Sequence, residues 1–367
     1  MSGYMEQALE LARLGKGQTS PNPAVGALLV RDGKIVGRGF HTWSGVDHAE
    51  VVALREAGEA ARGATAYVTL EPCSHRGRTN PCADALIAAG ISKVVAAMQD
   101  PNPLVSGAGL ERLRQAGIEV SIDAEHTAAA EELNEPFAHF MRTGHPLVTI
   151  KAALTLDGKI AAPQDNFGWI TSEVARAGVQ LVRHFSDAIL TGVGTVLEDD
   201  CLLTDRSGQV RSRPLLRIVL DSQLRIPLQS KIVTSASGDL LVVGTSAATA
   251  DRRKALEAKG IEVLIADGAA GRTDPAKVVE YLAARRYLSL MVEAGSRVNW
   301  TMLDTQIADK VLFYYAPKIL GGMKSLPVAG GPGRARRADA MLLDRLTIHS
   351  VSKDEFAVEA YVVKDGS

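Results

Sequence analysis

The stretch Thr69-Leu70-Glu71-Pro72-Cys73-Ser74-His75-Arg76-Gly77-Arg78-Thr79-Asn80-Pro81-Cys82 holds two of the three cysteines of this 367-residue chain, each directly after a proline. Upstream stands His48-Ala49-Glu50, at the expected start of a helix. One imidazole and two thiolates form a donor set suited to zinc, and three protein ligands leave the fourth tetrahedral position to water. Zinc lowers the pKa of that water toward neutrality. Glu50, two residues beyond His48, is not needed as a ligand. It is placed to carry protons between the water, a ring nitrogen and departing ammonia. Cys82 opens a helix, whose N-terminal dipole favours its thiolate.

Outward from this stretch the pattern alternates. A helix is expected over 2–15, strands over 25–30 and 35–40 about an Asp32-Gly33 turn, and a helix over 49–60. A strand over 64–70, a helix over 83–89, a strand over 94–98, a helix over 110–116, a strand at 118–120 and a helix over 126–141 follow. Interleaved strands and helices predict an α/β layered domain ending near Gly144-His145-Pro146, hence domains 1–145 and 146–367. The second domain repeats the α/β pattern. Strand candidates lie at 148–152, 188–190, 216–220, 240–243, 263–265, 288–292 and 311–315, and helices at 172–185, 251–259 and 275–286. Thr171 or Ser172 is placed to cap the helix at 172–185. Gly330-Gly331-Pro332-Gly333 with Arg334, Arg336 and Arg337 reads as a mobile surface loop.

Bulk properties narrow the partners. Hydrophobic residues make up 46% and charged residues 23%, enough for a core without disulfides. Net charge is −1 overall and −4 over residues 1–145, where 13 Lys+Arg meet 17 Asp+Glu, a poor surface for a polynucleotide. Three cysteines, no charged-then-apolar leader and no long apolar run predict a cytoplasmic protein with no membrane partner. Cys201 reads as core filler.

No Gly-x-Gly-x-x-Gly follows a strand in the second domain, so the sequence does not support a Rossmann fold there. Lys151, the Thr155-Leu156-Asp157-Gly158-Lys159 turn, Trp169-Ile170-Thr171-Ser172 and Leu190-Thr191-Gly192-Val193-Gly194-Thr195 with Asp199-Asp200 stand out. Glycines between a strand and a helix let backbone amides approach a phosphate.

Zinc nucleobase deaminases carry His-x-Glu followed by Pro-Cys-x-x-Cys. Here eight residues, Ser74 to Pro81, separate the cysteines. With Pro21-Asn22-Pro23, Val25-Gly26 and Gln99-Asp100-Pro101-Asn102-Pro103, the first domain resembles the deaminase half of the bifunctional riboflavin-biosynthesis deaminase/reductases, a family that shows this long gap. The resemblance implies a cytidine-deaminase-like α/β/α layered domain. There His48, Cys73 and Cys82 hold Zn2+, Glu50 is the proton shuttle, and His41, His75, Asp100 and Asn102 line a pocket for the ring and ribose phosphate. The family usually has His where Ser20 stands.

The second domain resembles the family's dihydrofolate-reductase-like α/β reductase half, matched additionally through Leu203 with Arg206, Asp221-Ser222, Val292-Glu293-Ala294-Gly295 and Ala316-Pro317-Lys318. The resemblance implies NADPH contacts at Ala153, Trp169, Thr195, Asp199, Ser222 and the stretch Gly295, Ser296, Arg297, Val298, Asn299, Trp300, Thr301. It implies substrate contacts at Lys151, Phe167, Arg183, Leu203, Arg206 and Glu293, with the two arginines suited to a ribose phosphate. Cys201, Phe167 and Ser296-Arg297 depart from the usual residues, and Arg297 is a candidate for the cofactor 2′-phosphate. The implied activity is deamination of 2,5-diamino-6-(5-phosphoribosylamino)pyrimidin-4-one, then NADPH reduction of the ribose of the product to a ribityl chain. The partners are small phosphoribosyl-pyrimidines, with a homo-oligomer through the C-terminal domains as a further expectation. A nucleic-acid deaminase of the tRNA-adenosine type is the rival. A non-catalytic zinc module, closed by His75 as a fourth ligand, is the third reading.

Overall fold

The computed structural model describes residues 3–76, 80–164 and 168–364. The chain divides into two compact units. One runs up to Gly144 and includes Val210–Arg213; the other holds His145–Gln209 and Pro214 onward.

The first unit is built of α1 (Tyr4–Gly15), β1 (Gly26–Arg31), β2 (Lys34–Phe40), α2 (Ala49–Ala57), β3 (Thr65–Val68), α3 (Cys82–Ala88), β4 (Lys93–Ala96), α4 (Ala108–Gln115), β5 (Glu119–Ile122), α5 (Thr127–Leu133) and α6 (Glu135–Thr143). Its five strands run in the order β2-β1-β3-β4-β5. β1 is antiparallel to both its neighbours, β2 and β3, and the last three strands are parallel. Two glycines explain how α1 and α2 take opposite faces. A Cβ on Gly26 would stand 2.0 Å from the Ala8 carbonyl oxygen of α1, and one on Gly39 would stand 2.0 Å from the Ala49 carbonyl oxygen of α2. Gly39 pairs with Ala27, the neighbour of Gly26, so the two contacts lie on opposite sides of the pleat. The first turn of α2, with His48 and Glu50, is thereby pressed onto the sheet.

The helix expected over 126–141 is two helices. Asn134 breaks it, and its side-chain amide accepts from the Ala24 amide at 2.8 Å and donates to the Ala24 carbonyl at 2.9 Å. Pro136 then lies in the first turn of α6, where its missing N–H costs nothing.

The second unit comprises β6 (Leu147–Thr155), β7 (Lys159–Ala161), α7 (Glu173–Phe185), β8 (Ala188–Gly192), α8 (Val193–Asp199), β9 (Leu216–Leu220), α9 (Lys231–Thr234), β10 (Leu240–Gly244), α10 (Ala250–Glu257), β11 (Glu262–Ile265), α11 (Pro275–Ala284), β12 (Ser289–Val292), α12 (Ser296–Asp304), β13 (Lys310–Ala316), β14 (Leu326–Pro327), β15 (Leu343–Ser350) and β16 (Phe356–Val362). Nine strands form one sheet in the order β11-β10-β9-β8-β12-β6-β13-β16-β15. All pairs are parallel up to β13, and the two at the β15 end are antiparallel. Apolar runs such as Leu240–Gly244 are buried on both faces, as a parallel sheet between two layers requires. Ser172 caps α7, its hydroxyl accepting from the Ala175 amide at 3.3 Å.

Several elements lie outside the sequence expectation: the short β7, α9 and β14, and the longer α12, β15 and β16. The segment expected to be a mobile loop is exposed but anchored. Gly331 packs against the Trp300 indole, where a Cβ would come within 2.3 Å, and Arg334 pairs with Asp304 at 2.9 Å.

Candidate functional site

His48 is the N-cap of α2, Cys82 is the first residue of α3, and Cys73 sits on the loop leaving β3. Their ligand atoms all lie within 4.8 Å of one another. His48 Nδ1 is 3.2 Å from Cys82 Sγ and 3.6 Å from Cys73 Sγ, and the Cys82 amide donates to Cys73 Sγ at 3.3 Å. Three soft or borderline donors converging on one point, from three elements pinned by the sheet, fit a zinc ion. His75 is exposed and outside this set, and among the described residues no fourth His, Cys, Asp or Glu joins it. The arrangement is that of a catalytic site with an open position, not of a closed structural one.

Electrostatics agree with this. Hydrogen bonding from Cys82 and His48 outweighs burial and pulls the Cys73 thiol down to about 4. The Cys82 thiol is pushed up by its hydrogen bond to Cys73 and by burial, so Cys73 is the first of the pair to ionise. The Cys73 bond also raises His48 against the effect of burial. Glu50, only 3% exposed, is pushed up to about 7, first by burial and then by the Cys73 charge. A carboxyl poised there exchanges protons readily at neutral pH.

Around the set, the His41 ring meets the His48 ring edge-on at 5.2 Å. Its Nδ1 is 3.0 Å from the Asp47 carbonyl oxygen, which can only accept, so Nδ1 carries the proton. Nε2, at 3.2 Å, then accepts from the Asn22 amide of the Pro-Asn-Pro turn. Asp100 and Asn102 each close a turn, accepting from the Asn102 and Leu104 amides at 2.8 and 3.1 Å. Burial, with Glu71 nearby, raises the Asp100 carboxyl. Sequence reasoning missed Glu71. It is 5% exposed and accepts from the amides of Asp100, Gly107, Gly109 and Leu110 at 3.1, 2.9, 2.8 and 3.4 Å. It thus fastens the Asp100 loop and the start of α4 to the metal-ligand loop. A Cβ on Gly109 would stand 1.9 Å from the Pro72 carbonyl oxygen. The motif residues Gly77, Arg78 and Thr79 lie outside the described residues.

The second unit assembles a different site. Glu293, just past β12, accepts from Lys151 Nζ at 3.1 Å and from Arg183 Nε and Nη2 at 3.0 and 2.8 Å. Lys151 lies on β6, next to β12 in the sheet, and Arg183 on α7. Burial alone would raise the Glu293 carboxyl. Lys151 and Arg183 more than offset it and hold it at about 2. Arg183 Nη1 also donates to the Thr204 carbonyl at 3.0 Å. Arg206 is exposed, and Leu203 is buried with φ 53°.

Among the expected cofactor contacts, Ala153 lies on β6 beside Lys151's strand neighbours, and Thr195 and Asp199 share one face of α8 four residues apart. Trp169 is 70% exposed, with the Arg176 guanidinium 4.9 Å from its ring centre and Lys318 donating to its carbonyl at 2.7 Å. The Ser222 hydroxyl accepts from the Thr273 amide at 3.2 Å. The stretch from Gly295 to Thr301 forms the start of α12, with Gly295 as its N-cap. The first amides of a helix have no intrahelical acceptor and suit an anion; Arg297 there is exposed. Ser296 and Asn299 face inward, their side chains donating to the Pro327 and Val328 carbonyls. This donor-rich terminus fits a phosphate group of a dinucleotide. Phe167 lies outside the described residues.

Fold and sites define a zinc-dependent base deaminase joined to a pyridine-nucleotide reductase. The family model described as the cytidine and deoxycytidylate deaminase zinc-binding region matches residues 1–98, and that of the RibD C-terminal domain matches residues 146–353. The chain is 43% identical to the riboflavin biosynthesis protein RibD of Escherichia coli over 96% of both chains, and 43% identical to that of Aquifex aeolicus over 87% of both. The solved structure of Acinetobacter baumannii RibD superposes with a TM-score of 0.86 at 36% identity, covering 98% of each chain. A Thermotoga maritima diaminohydroxyphosphoribosylaminopyrimidine deaminase/5-amino-6-(5-phosphoribosylamino)uracil reductase gives 0.83 at 34% identity, again over 98% of each. The chain belongs to the RibD family of bifunctional deaminase/reductases of riboflavin biosynthesis, with zinc and NADPH as its cofactors. A nucleic-acid deaminase is not favoured. Among the described residues no helix is long and apolar enough to cross a membrane.

Proposed function

We propose that residues 1–145 deaminate 2,5-diamino-6-(5-phosphoribosylamino)pyrimidin-4-one and that residues 146–367 reduce the ribose of the resulting uracil to a ribityl chain. The observation that carries the first step is the convergence of His48, Cys73 and Cys82 beside a buried Glu50. Zinc held by these three residues supplies activated water at neutral pH. Glu50, neither fully ionised nor fully protonated near pH 7, would relay two protons in turn, the first from the attacking water to the ring nitrogen and the second from the hydroxyl so added to the leaving amine. Water and the exocyclic amine are thereby converted into a ring carbonyl and ammonia. His41, His75, Asp100 and Asn102 line the pocket, and the Glu71 clamp fixes the loop that carries the last two.

For the second step NADPH supplies the hydride. Its contacts are Ala153, Trp169, Thr195, Asp199, Ser222 and the Gly295–Thr301 turn. Lys151 has three N–H donors and gives one to Glu293, leaving others for substrate hydroxyls. Arg183 and Arg206 take the ribose phosphate, with Leu203 beside it. The three cysteines are unpaired, which supports a reducing, cytoplasmic setting. All eight residues of β15 are exposed at the sheet edge, Ile348 by 64%, which supports pairing with a second copy through the second unit.

The test supplies the pyrimidine nucleotide and follows ammonia release and NADPH oxidation separately. Ammonia first and oxidation second, with none from a tRNA stem-loop, is the expected outcome. Turnover of the stem-loop alone would reverse the assignment.

A further inference from the structure

The loop between α8 and β9 is held by side chains almost residue by residue. Arg217, 1% exposed on β9, donates to the Leu202 carbonyl at 3.1 Å. Three side chains of α7 take the next residues. Arg183 donates to the Thr204 carbonyl at 3.0 Å, His184 Nδ1 meets Asp205 Oδ2 at 2.9 Å, and Gln180 Oε1 accepts from the Arg206 amide at 2.9 Å. Positions 180, 183 and 184 are one helical turn apart and share a face. Asp205 also accepts from the Ser207 amide at 2.9 Å, closing a turn around Arg206. The His184 and Asp205 side chains are 1% and 8% exposed. Two non-glycine residues at this loop, Asp200 and Leu203, hold φ of 42° and 53°. Left-handed backbone at such residues costs free energy and persists only where surroundings over-determine it, which is typical of ligand-gripping loops.

We propose that His184 and Asp205 are positioning residues that hold the loop carrying Leu203 and Arg206 in the one conformation that receives the phosphate end of the reductase substrate. This rests on the reading above that Arg206 grips that phosphate. The pair touches no reacting atom. It acts by removing alternatives from the loop before substrate arrives, so that binding does not have to order it.

The experiment uses the full chain, with deamination as the internal reference. His184→Ala and Asp205→Ala should each raise the KM of the phosphorylated reductase substrate about tenfold, with kcat within about threefold and the KM for NADPH unmoved. His184→Asn, whose amide N–H can stand in for Nδ1–H, should recover most of that loss. Should the alanine variants not fold, Asp205→Asn keeps the acceptor for Ser207, removes the charge facing His184 and carries the same test at about threefold. On the dephosphorylated substrate, variants and parent should coincide. An unmoved substrate KM in a variant that merely melts earlier overturns the proposal, as does an equal rise in the KM for NADPH. Arg206→Ala separates the two readings. If it raises KM while the His184 and Asp205 variants do not, only the positioning role fails. If they raise KM and it does not, the phosphate role of Arg206 fails and the loop remains held for another contact.

Discussion

The two sites fix charge by opposite means. Around Cys73 one carboxyl, Glu50, is buried beside a thiolate and kept close to neutral; around Glu293 a carboxyl is flanked by Lys151 and Arg183 and kept fully ionised. In the first, burial is allowed to win, and the result is a group that exchanges a proton. In the second, two cations overcome burial, and the result is a group that orients others and gives up no charge. The same side chain type is held near half-ionisation in one unit and fully ionised in the other because burial meets no cation strong enough to oppose it in the first and two cations in the second.

Glu50→Gln tests the comparison most severely. The amide has the same shape but cannot carry a proton, so deamination should fall about thousandfold while zinc content and NADPH oxidation stay unchanged. Ammonia assays and elemental analysis on one preparation check this. Retained turnover would make Glu50 a structural acid and erase the contrast.

The acid dependence of stability should separate the sites by sign. Glu293 falls from the ordinary 4.5 to about 2, so the unfolded chain binds the proton more readily. Its contribution is complete above pH 4.5 and is lost as pH falls toward 2, a difference of about 3 kcal/mol. Glu50 in the metal-free chain rises from 4.5 to about 7, so the folded state binds the proton more readily. Stability from that source is present below pH 4.5 and is lost as pH rises through 7. Calorimetry of metal-free protein between pH 3 and 8 should show the two units responding oppositely. Glu293→Gln should flatten one response and cost about 3 kcal/mol at neutral pH, because it leaves two partly buried cations facing an amide. Parallel responses would mean that one carboxyl is not held as its surroundings imply.

The sites were also unequally legible in the sequence. Zinc restricts its ligands to a few residue types, so His48, Cys73, Cys82 and Glu50 stood out by identity and order alone. The acidic clamp at Glu71 did not, because its partners are backbone amides 29 to 39 residues away, which no side-chain pattern records. In the second unit, Lys151, Arg183 and Glu293 are common residues separated by as much as 142 positions. Lys151 stood out at the end of a strand, but only resemblance singled out Arg183 and Glu293, and the mutual contact of the three emerged from the sheet order that sets β6 beside β12. The strands of the parallel sheet were legible as continuous apolar runs. The edge strand β15 was not, since all its residues are exposed and it lacks the alternation that burial on one face imposes. Asn134 looked like mid-helix because its reason for breaking the helix, the Ala24 backbone, lies 110 residues earlier.

The smallest effect concerns helix starts, where the two units again differ. His48 is the cap of α2, yet its side chain makes no cap hydrogen bond, since its ring is committed to the thiol pair. Ser172 caps α7 in the ordinary way, and its hydroxyl and amide both bond Glu355, which is 8% exposed. Ser172→Ala should therefore cost about 1 kcal/mol, measured as a lower denaturation midpoint of the second unit. Arg183 lies three turns further along α7, anchored independently by Glu293 and Thr204, so reductase kcat should stay within about twofold. A large loss of turnover with the same small loss of stability would show that the grip on Glu293 depends on the far end of its helix. In that case the second site, unlike the first, would be held by an element as a whole and not by its immediate neighbours.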